Sequence, residues 1–350
     1  MSYQFLKMEK LSSYKWLFIL IIPLFSIQEP LKKKTPNHPS SINDSKWGFF
    51  GHMRINRIAV FTLPREMFGF YKDHIEFITE HAVDPDKRRY AMDAEAPRHY
   101  IDLDHFYKKG EDFRKVMPKR WKDAVKKYTE DTLQAYGIVP WHIQVMKRKL
   151  QRAFESKNVD LILKYSSEIG HYIGDAHVPL HTTENYNGQF TGQKGIHGLW
   201  ESRLVEINAD DYDYFVGKGK YVKNLLDYTW DAVYTAHAAM DSVLSIEREL
   251  TLEFPSDQKY AYEQRGRTTI RTYSNGFSSE YHKRLNGMVE RRLRRSIIAV
   301  GSVWYTAWVD AGQPDLSLLQ RIPPSESLLN EFKELDHHFH NDEHKGRICE

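Results

Sequence analysis

Residues 159–177, VDLILKYSSEIGHYIGDAH, set apolar side chains at three- and four-residue steps and then run into Pro179. That period marks one face of a helix buried against other elements. A helix so patterned needs partners of its own kind, and the chain supplies them. MRINRIAVFTL (53–63), EMFGFYKDHIEFITEHAV (66–83), WHIQVMKRKLQRAFESK (141–157) and RLNGMVERRLRRSIIAVGSVWYTAWVDAG (284–312) repeat the period, the last ending at Gly312 before Pro314. No run alternates convincingly and no internal repeat is visible. The class is therefore all-α, a single multi-helix domain, with loops expected at 84–98, 182–196 and 208–220.

The two ends read differently. Lys7, Lys10 and Lys15 precede the apolar run WLFILIIPLFSI (16–27), the grammar of a signal peptide. Export, periplasmic or secreted, is the expectation; an uncleaved N-terminal anchor is the alternative. The division expected is 1–29 for this apolar segment, 30–46 for a Pro-, Lys- and Ser-rich linker, 47–315 for the helical domain and 316–350 for a polar tail. The tail finishes in DHHFHNDEHKGRICE and is expected to be solvated. Cys349 is the only cysteine, so no disulfide can form within the chain. The 50 basic residues nearly match the 47 acidic ones. No global field therefore argues for a nucleic-acid partner, and charge leaves the substrate open.

Chemistry concentrates in HYIGDAHVPLH (171–181). His171 and Asp175 stand four apart on a helix and share one face, so two ligands can meet one ion. HGLWE repeats the spacing with His197 and Glu201. His181 follows Pro179, where the first helix should end. Upstream, Asp84 and His99 stand fifteen apart in DPDKRRYAMDAEAPRHYIDLDH, with Asp86, Asp102, Asp104 and His105 as close competitors, and His52 lies in WGFFGH. Imidazoles and carboxylates without thiolate form a zinc-type donor set.

The order WGxxGH, then Asp and His fifteen apart, then HYIGDxxxPLH, then HxxxE resembles the superfamily that joins zinc-dependent phospholipases C to single-strand-specific nucleases. The resemblance runs from Trp47 to Glu201, and WYTAWVDAGQ looks like the last helix of the phospholipase branch. It implies three zinc ions. His99, His171 and Asp175, with Asp84, would hold the first; His181, His197 and Glu201 the second; His52 and Trp47, with Asp175 bridging, the third. In the family the Trp is the mature N-terminus and chelates through its amine, whereas a linker precedes Trp47 here.

The expected activity is hydrolysis of phosphate esters, phospholipase C-like or, equally, that of a single-strand-preferring nuclease or nucleotidase. Asp84 would orient the attacking water or accept its proton. Lys87 and Arg88 are candidates for the substrate phosphate. His177 points away from Asp175 on a helix, and His74, His81, His142, His237 and His282 read as structural. The substrate would be phospholipid or single-stranded nucleic acid, and no obligate protein partner is evident. The alternative from another class is a noncatalytic helical protein with structural zinc.

Overall fold

Helix α1 (Phe49–Ala59) and helix α4 (Val159–Asp175) set the geometry of the centre described below. The computed structural model describes residues 49–265 and 268–345; Trp47, the apolar segment and the linker lie outside them. Between α1 and α4 come α2 (Asp84–Ala91), which takes Pro85 in its first turn where a missing N–H costs nothing, and α3 (Val139–Glu155). After α4 come α5 (Met288–Asp310) and α6 (Glu326–Asn341). Further helices, among them Arg65–Asp73, Leu225–His237 and Met240–Glu253, complete the all-α body. Among the described residues no helix is long and apolar enough to cross a membrane.

α4 is the central rod. Asn158 caps its N-terminus by accepting from Leu161 N at 3.0 Å, and every residue from Ser166 to Asp175 is buried. Trp304 of α5 donates its indole N–H to Ser166 O at 3.0 Å. α1 crosses α4 at two glycines. A Cβ on Gly170 would fall 1.9 Å from Asn56 Oδ1, and one on Gly174 would fall 2.9 Å from His52 Nδ1. The bare backbone there lets Asn56 donate to Ser167 O at 2.9 Å and brings His52 against His171.

Three expectations are corrected. Residues 84–98, expected as loop, hold α2 and most of a 3-10 segment, Asp93–His99. An antiparallel hairpin, β1 (Tyr260–Arg265) with β2 (Thr268–Tyr273), stands where no strand was expected; Tyr260 pairs with Tyr273 and Tyr262 with Arg271. The tail from 316 contains α6, capped by Ser325 Oγ accepting from Leu328 N at 3.2 Å. Leu328, Phe332, Leu335 and Phe339 form its buried stripe. Phe332 stacks on His81 at 3.9 Å, and Phe339 meets Phe49 at 5.7 Å and Tyr90 of α2 at 5.1 Å. The helix is therefore packed on the domain, close to α2.

Candidate metal centre

The last turn of α4 carries His171 and Asp175 side by side, as the four-residue spacing requires. His171 donates from Nδ1 to Ala82 O at 3.0 Å, which fixes the tautomer and leaves Nε2 bare, 3.3 Å from Asp175 Oδ2. His99 arrives at the end of the 3-10 segment with the opposite edge. Its Nδ1 lies 3.0 Å from Asp175 Oδ2, 3.0 Å from His171 Nε2 and 3.6 Å from Asp86 Oδ1. Asp86 Oδ1 is also 3.5 Å from His171 Nε2. Four donor atoms thus converge on one point.

A second group lies beside the first. The backbone over Gly198–Arg203 widens into a π-helical turn, in which residues four apart still overlie, and His197 Nε2 meets Glu201 Oε2 at 2.7 Å. His181, delivered by the 3-10 turn Pro179–Thr182, sets Nε2 3.3 Å from the same oxygen. Both rings are aimed by backbone carbonyls: His197 Nδ1 donates to Tyr186 O at 3.1 Å and His181 Nδ1 to His99 O at 2.7 Å. Such outer bonds are what hold imidazole ligands in register.

His52 joins the groups from α1. Its ring stacks on His171 with centroids 4.0 Å apart, and its Nε2 is 3.3 Å from Asp175 Oδ1 and 3.2 Å from Glu201 Oε1. Three sets of potential ligands result: Asp86, His99 and His171; His181, His197 and Glu201; His52, His171 and Asp175.

The electrostatics suit a cation. Burial raises the carboxyls of Asp175 and Glu201, but the surrounding histidines prevail and hold both well below the usual carboxylate range. Burial pulls the His52 ring down, yet its bonds to Asp175 and Glu201 outweigh that and hold it at about 10. His99 behaves alike, lifted to about 9 by Asp175 and Glu95 against the cost of burial. These buried groups keep protons where a dication would neutralise the same carboxylates, and zinc takes such sites in exchange for protons. Asp175 Oδ1 lies buried with no partner of hydrogen-bond geometry, its nearest neighbour being His52 Nε2 at 3.3 Å, another sign that the donor set fits a metal. The nitrogen and oxygen donors match zinc, and no thiolate is needed.

Most of the expected ligands meet here: His52, His99, His171, Asp175, His181, His197 and Glu201. Asp84 does not. Its Oδ2 is bound to His81 Nδ1 at 2.6 Å and its Oδ1 faces Lys87 at 3.2 Å, while Asp86 takes the place expected for it. On a helix, residues two apart point to different sides, so only one of the two can face His99. Lys87 is committed to Asp84 and to Asp336 at 2.7 Å, and Arg88 to Glu168 and Glu95, so neither cation is left for a substrate phosphate. His177 is buried and donates to Ile173 O at 2.8 Å. Trp47 lies outside the described residues.

Glu95 was missed altogether. Its Oε1 is 3.6 Å from His99 Nε2 and accepts from Tyr172 OH, and Arg98 binds its other oxygen at 2.5 Å. The signal was present in EAPRH, where Glu95 and His99 show the same four-residue spacing as HGLWE.

The sequence model of one family, described as S1/P1 Nuclease, matches residues 47–300, well over half of the chain. No curated protein sequence matches.

Proposed function

The chain belongs to the S1/P1 nuclease family, within the superfamily that also holds the zinc-dependent phospholipases C, and from that premise we propose that it is a zinc-dependent phosphodiesterase acting on single-stranded nucleic acid. Three adjoining sets of imidazole and carboxylate donors, two sharing His171 and the third reached through His52 Nε2 beside Glu201, carry the reading. Bound there, zinc would lower the pKa of a coordinated water to about 7 and stabilise charge on the phosphoryl oxygens. His99, His171 and Asp175, with Asp86, are the residues to hold one ion, and His181, His197 and Glu201 a second. A third would rest on His52 and Asp175, with Trp47 as the remaining candidate.

The protein's own part is orientation and proton handling. Asp175 is sealed, its side chain 1% exposed, whereas that of Asp86 is 25% exposed beside the same histidines. Asp86 is thus the carboxylate of the first set that solvent reaches, and the one placed to orient an attacking water and take its proton. α2 holds it on a rigid element, which fixes the direction of that transfer.

The family match favours the nuclease branch, and the phospholipase reading gains no separate support from it. The segment that binds His197 through Tyr186 O also exposes Phe190, 72% open to solvent, a flat surface of the kind on which unpaired bases stack. The test is parallel assay of the zinc-loaded protein on single-stranded DNA, duplex DNA and phosphatidylcholine vesicles, with His171→Ala as control. Cutting of the single strand, lost in the control, is the expected result. Cleavage of phosphatidylcholine with both DNAs intact would overturn the substrate assignment.

A further inference from the structure

A second concavity, separate from the metal centre, is lined by α3, the segment before it and Leu226, and encloses about 460 Å³. Pockets of this size take small organic ligands. Trp121 and Trp141 line it, edge to face at 5.2 Å, and Trp141 is fixed by donating its indole N–H to Lys119 O at 2.7 Å. Arg120 and Arg148 line it too, both exposed, and neither guanidinium has an ion pair or hydrogen bond among the described residues. No carboxylate is among the lining residues. His142 is 8% exposed, and its Nε2 is buried without a partner. An orphaned polar atom at such a depth is costly unless something meets it.

Each feature asks for a different part of one ligand. Indole surfaces suit a flat aromatic ring, and unpaired guanidinium forks suit phosphate oxygens. The side-chain amides of Gln134 and Gln144 can read the polar edge of a ring. A purely apolar ligand would leave both arginines and the His142 nitrogen unanswered; a bare anion would leave the tryptophans unused. We infer that this pocket binds a nucleotide unit, a base with its phosphate, at a site distinct from the metal centre.

The pocket is coupled to that centre by contact. His142 meets Tyr172 at 4.5 Å between centroids, and Tyr172 meets His99 at 5.4 Å. The unit bound could be a free mononucleotide or one residue of a strand whose remainder reaches the metal centre.

The test is calorimetric titration of the zinc-loaded full chain with adenosine monophosphate, with inorganic phosphate, and with a short single strand carrying phosphorothioate linkages. Wild type is run beside Trp121→Ala and Arg148→Glu; the second changes an exposed residue and guards against misfolding in the first. Both variants should weaken one class of mononucleotide site by about tenfold or more, a difference of about 1.4 kcal/mol. Hydrolysis of bis(p-nitrophenyl) phosphate, too small to span the two sites, should stay within about twofold of wild type in both. Parallel weakening of the oligonucleotide would mean that the pocket holds part of a strand; weakening of the mononucleotide alone would mean a free ligand. Unchanged mononucleotide affinity in both variants would sink the inference, as would phosphate binding as tightly as the mononucleotide. Variant-sensitive mononucleotide binding without DNA cleavage would refute the proposed substrate and leave the pocket standing, and cleavage with insensitive binding would do the reverse.

Discussion

His99 Nδ1 and His171 Nε2 stand 3.0 Å apart, two histidines presenting opposite ring edges to one point. The cause is local. α4 carries His171 with Nδ1 anchored on Ala82 O and Nε2 offered to the centre, whereas the 3-10 segment delivers His99 with Nε2 toward Glu95. A backbone carbonyl thus orients His171, while His99 turns its other nitrogen toward the Glu95 carboxylate at 3.6 Å.

Asp86 and Asp84 should separate cleanly. Asp86→Asn is expected to lower turnover by about 100-fold or more and to weaken one zinc ion. Asp84→Asn should keep both metal content and turnover but destabilise the fold by about 1–3 kcal/mol, because His81 and Lys87 lose the carboxylate charge they share. Zinc analysis, steady-state kinetics and urea unfolding of the two variants decide it; the opposite pattern would restore Asp84 to the site.

Glu95→Gln should weaken zinc binding at the first site by about 10–100-fold, since His99 loses the carboxylate that orients it. Competition with a coloured chelator measures this without reference to turnover. Wild-type affinity in the variant would reduce Glu95 to a partner of Arg98 and Tyr172.

Gly174→Ala places a methyl 2.9 Å from His52 Nδ1 and 3.0 Å from its Cε1. The ring is buried and stacked on His171, so it can yield only by leaving Asp175 and Glu201. Loss of zinc from the His52 site, with the His181 site intact, is the expected outcome by titration with cobalt and visible spectroscopy.

Phe332→Ala tests the C-terminal helix. Phe332 is 5% exposed, stacks on His81 and meets Phe77 at 5.6 Å, so truncation should cost about 3–5 kcal/mol in urea unfolding. A change within 0.5 kcal/mol, roughly that of a surface substitution, would mean that α6 contributes little to the fold.

His142 sets part of the acid limb. Burial, with the Arg98 charge adding to it, holds its ring neutral down to about 3, against 6.5 for an ordinary imidazole. Between those values the unfolded chain carries a proton that the fold refuses. The contribution is therefore intact above pH 6.5 and lost as pH falls toward 3. His142→Gln should gain melting temperature relative to wild type across that window, with both proteins stripped of metal. A constant difference from pH 7 to pH 4 would show that the ring titrates normally.

Much of the site was legible because ligand pairs four apart on a helix are a local pattern: His171 with Asp175, and His197 with Glu201, needed no tertiary knowledge. Even the π-helical turn under the second pair left its spacing intact. Asp86 was harder. DPDKRR offers two carboxylates, and which faces inward depends on where α2 starts and how it is turned against α4. Lys87 and Arg88 looked available because one acceptor of each, Asp336 and Glu168, is remote in sequence. The hairpin hid behind charged residues in YAYEQRGRTTIRTY. α6 hid similarly, since Leu328, Phe332, Leu335 and Phe339 keep helical spacing inside a segment whose composition reads as polar. The pocket beside α3 joins Trp121, Trp141 and Leu226, which only the fold brings together.

α6 lies on α2, and α2 carries Asp86. The order of synthesis then matters, because a ribosome makes the acid near residue 86 long before the helix that clasps its support. A growing chain therefore carries nearly all its candidate ligands while lacking the buttress that steadies one of them. Removing that helix would therefore strip a support from the element that carries Asp86, so its loss would be felt at the candidate centre and not only in chain length.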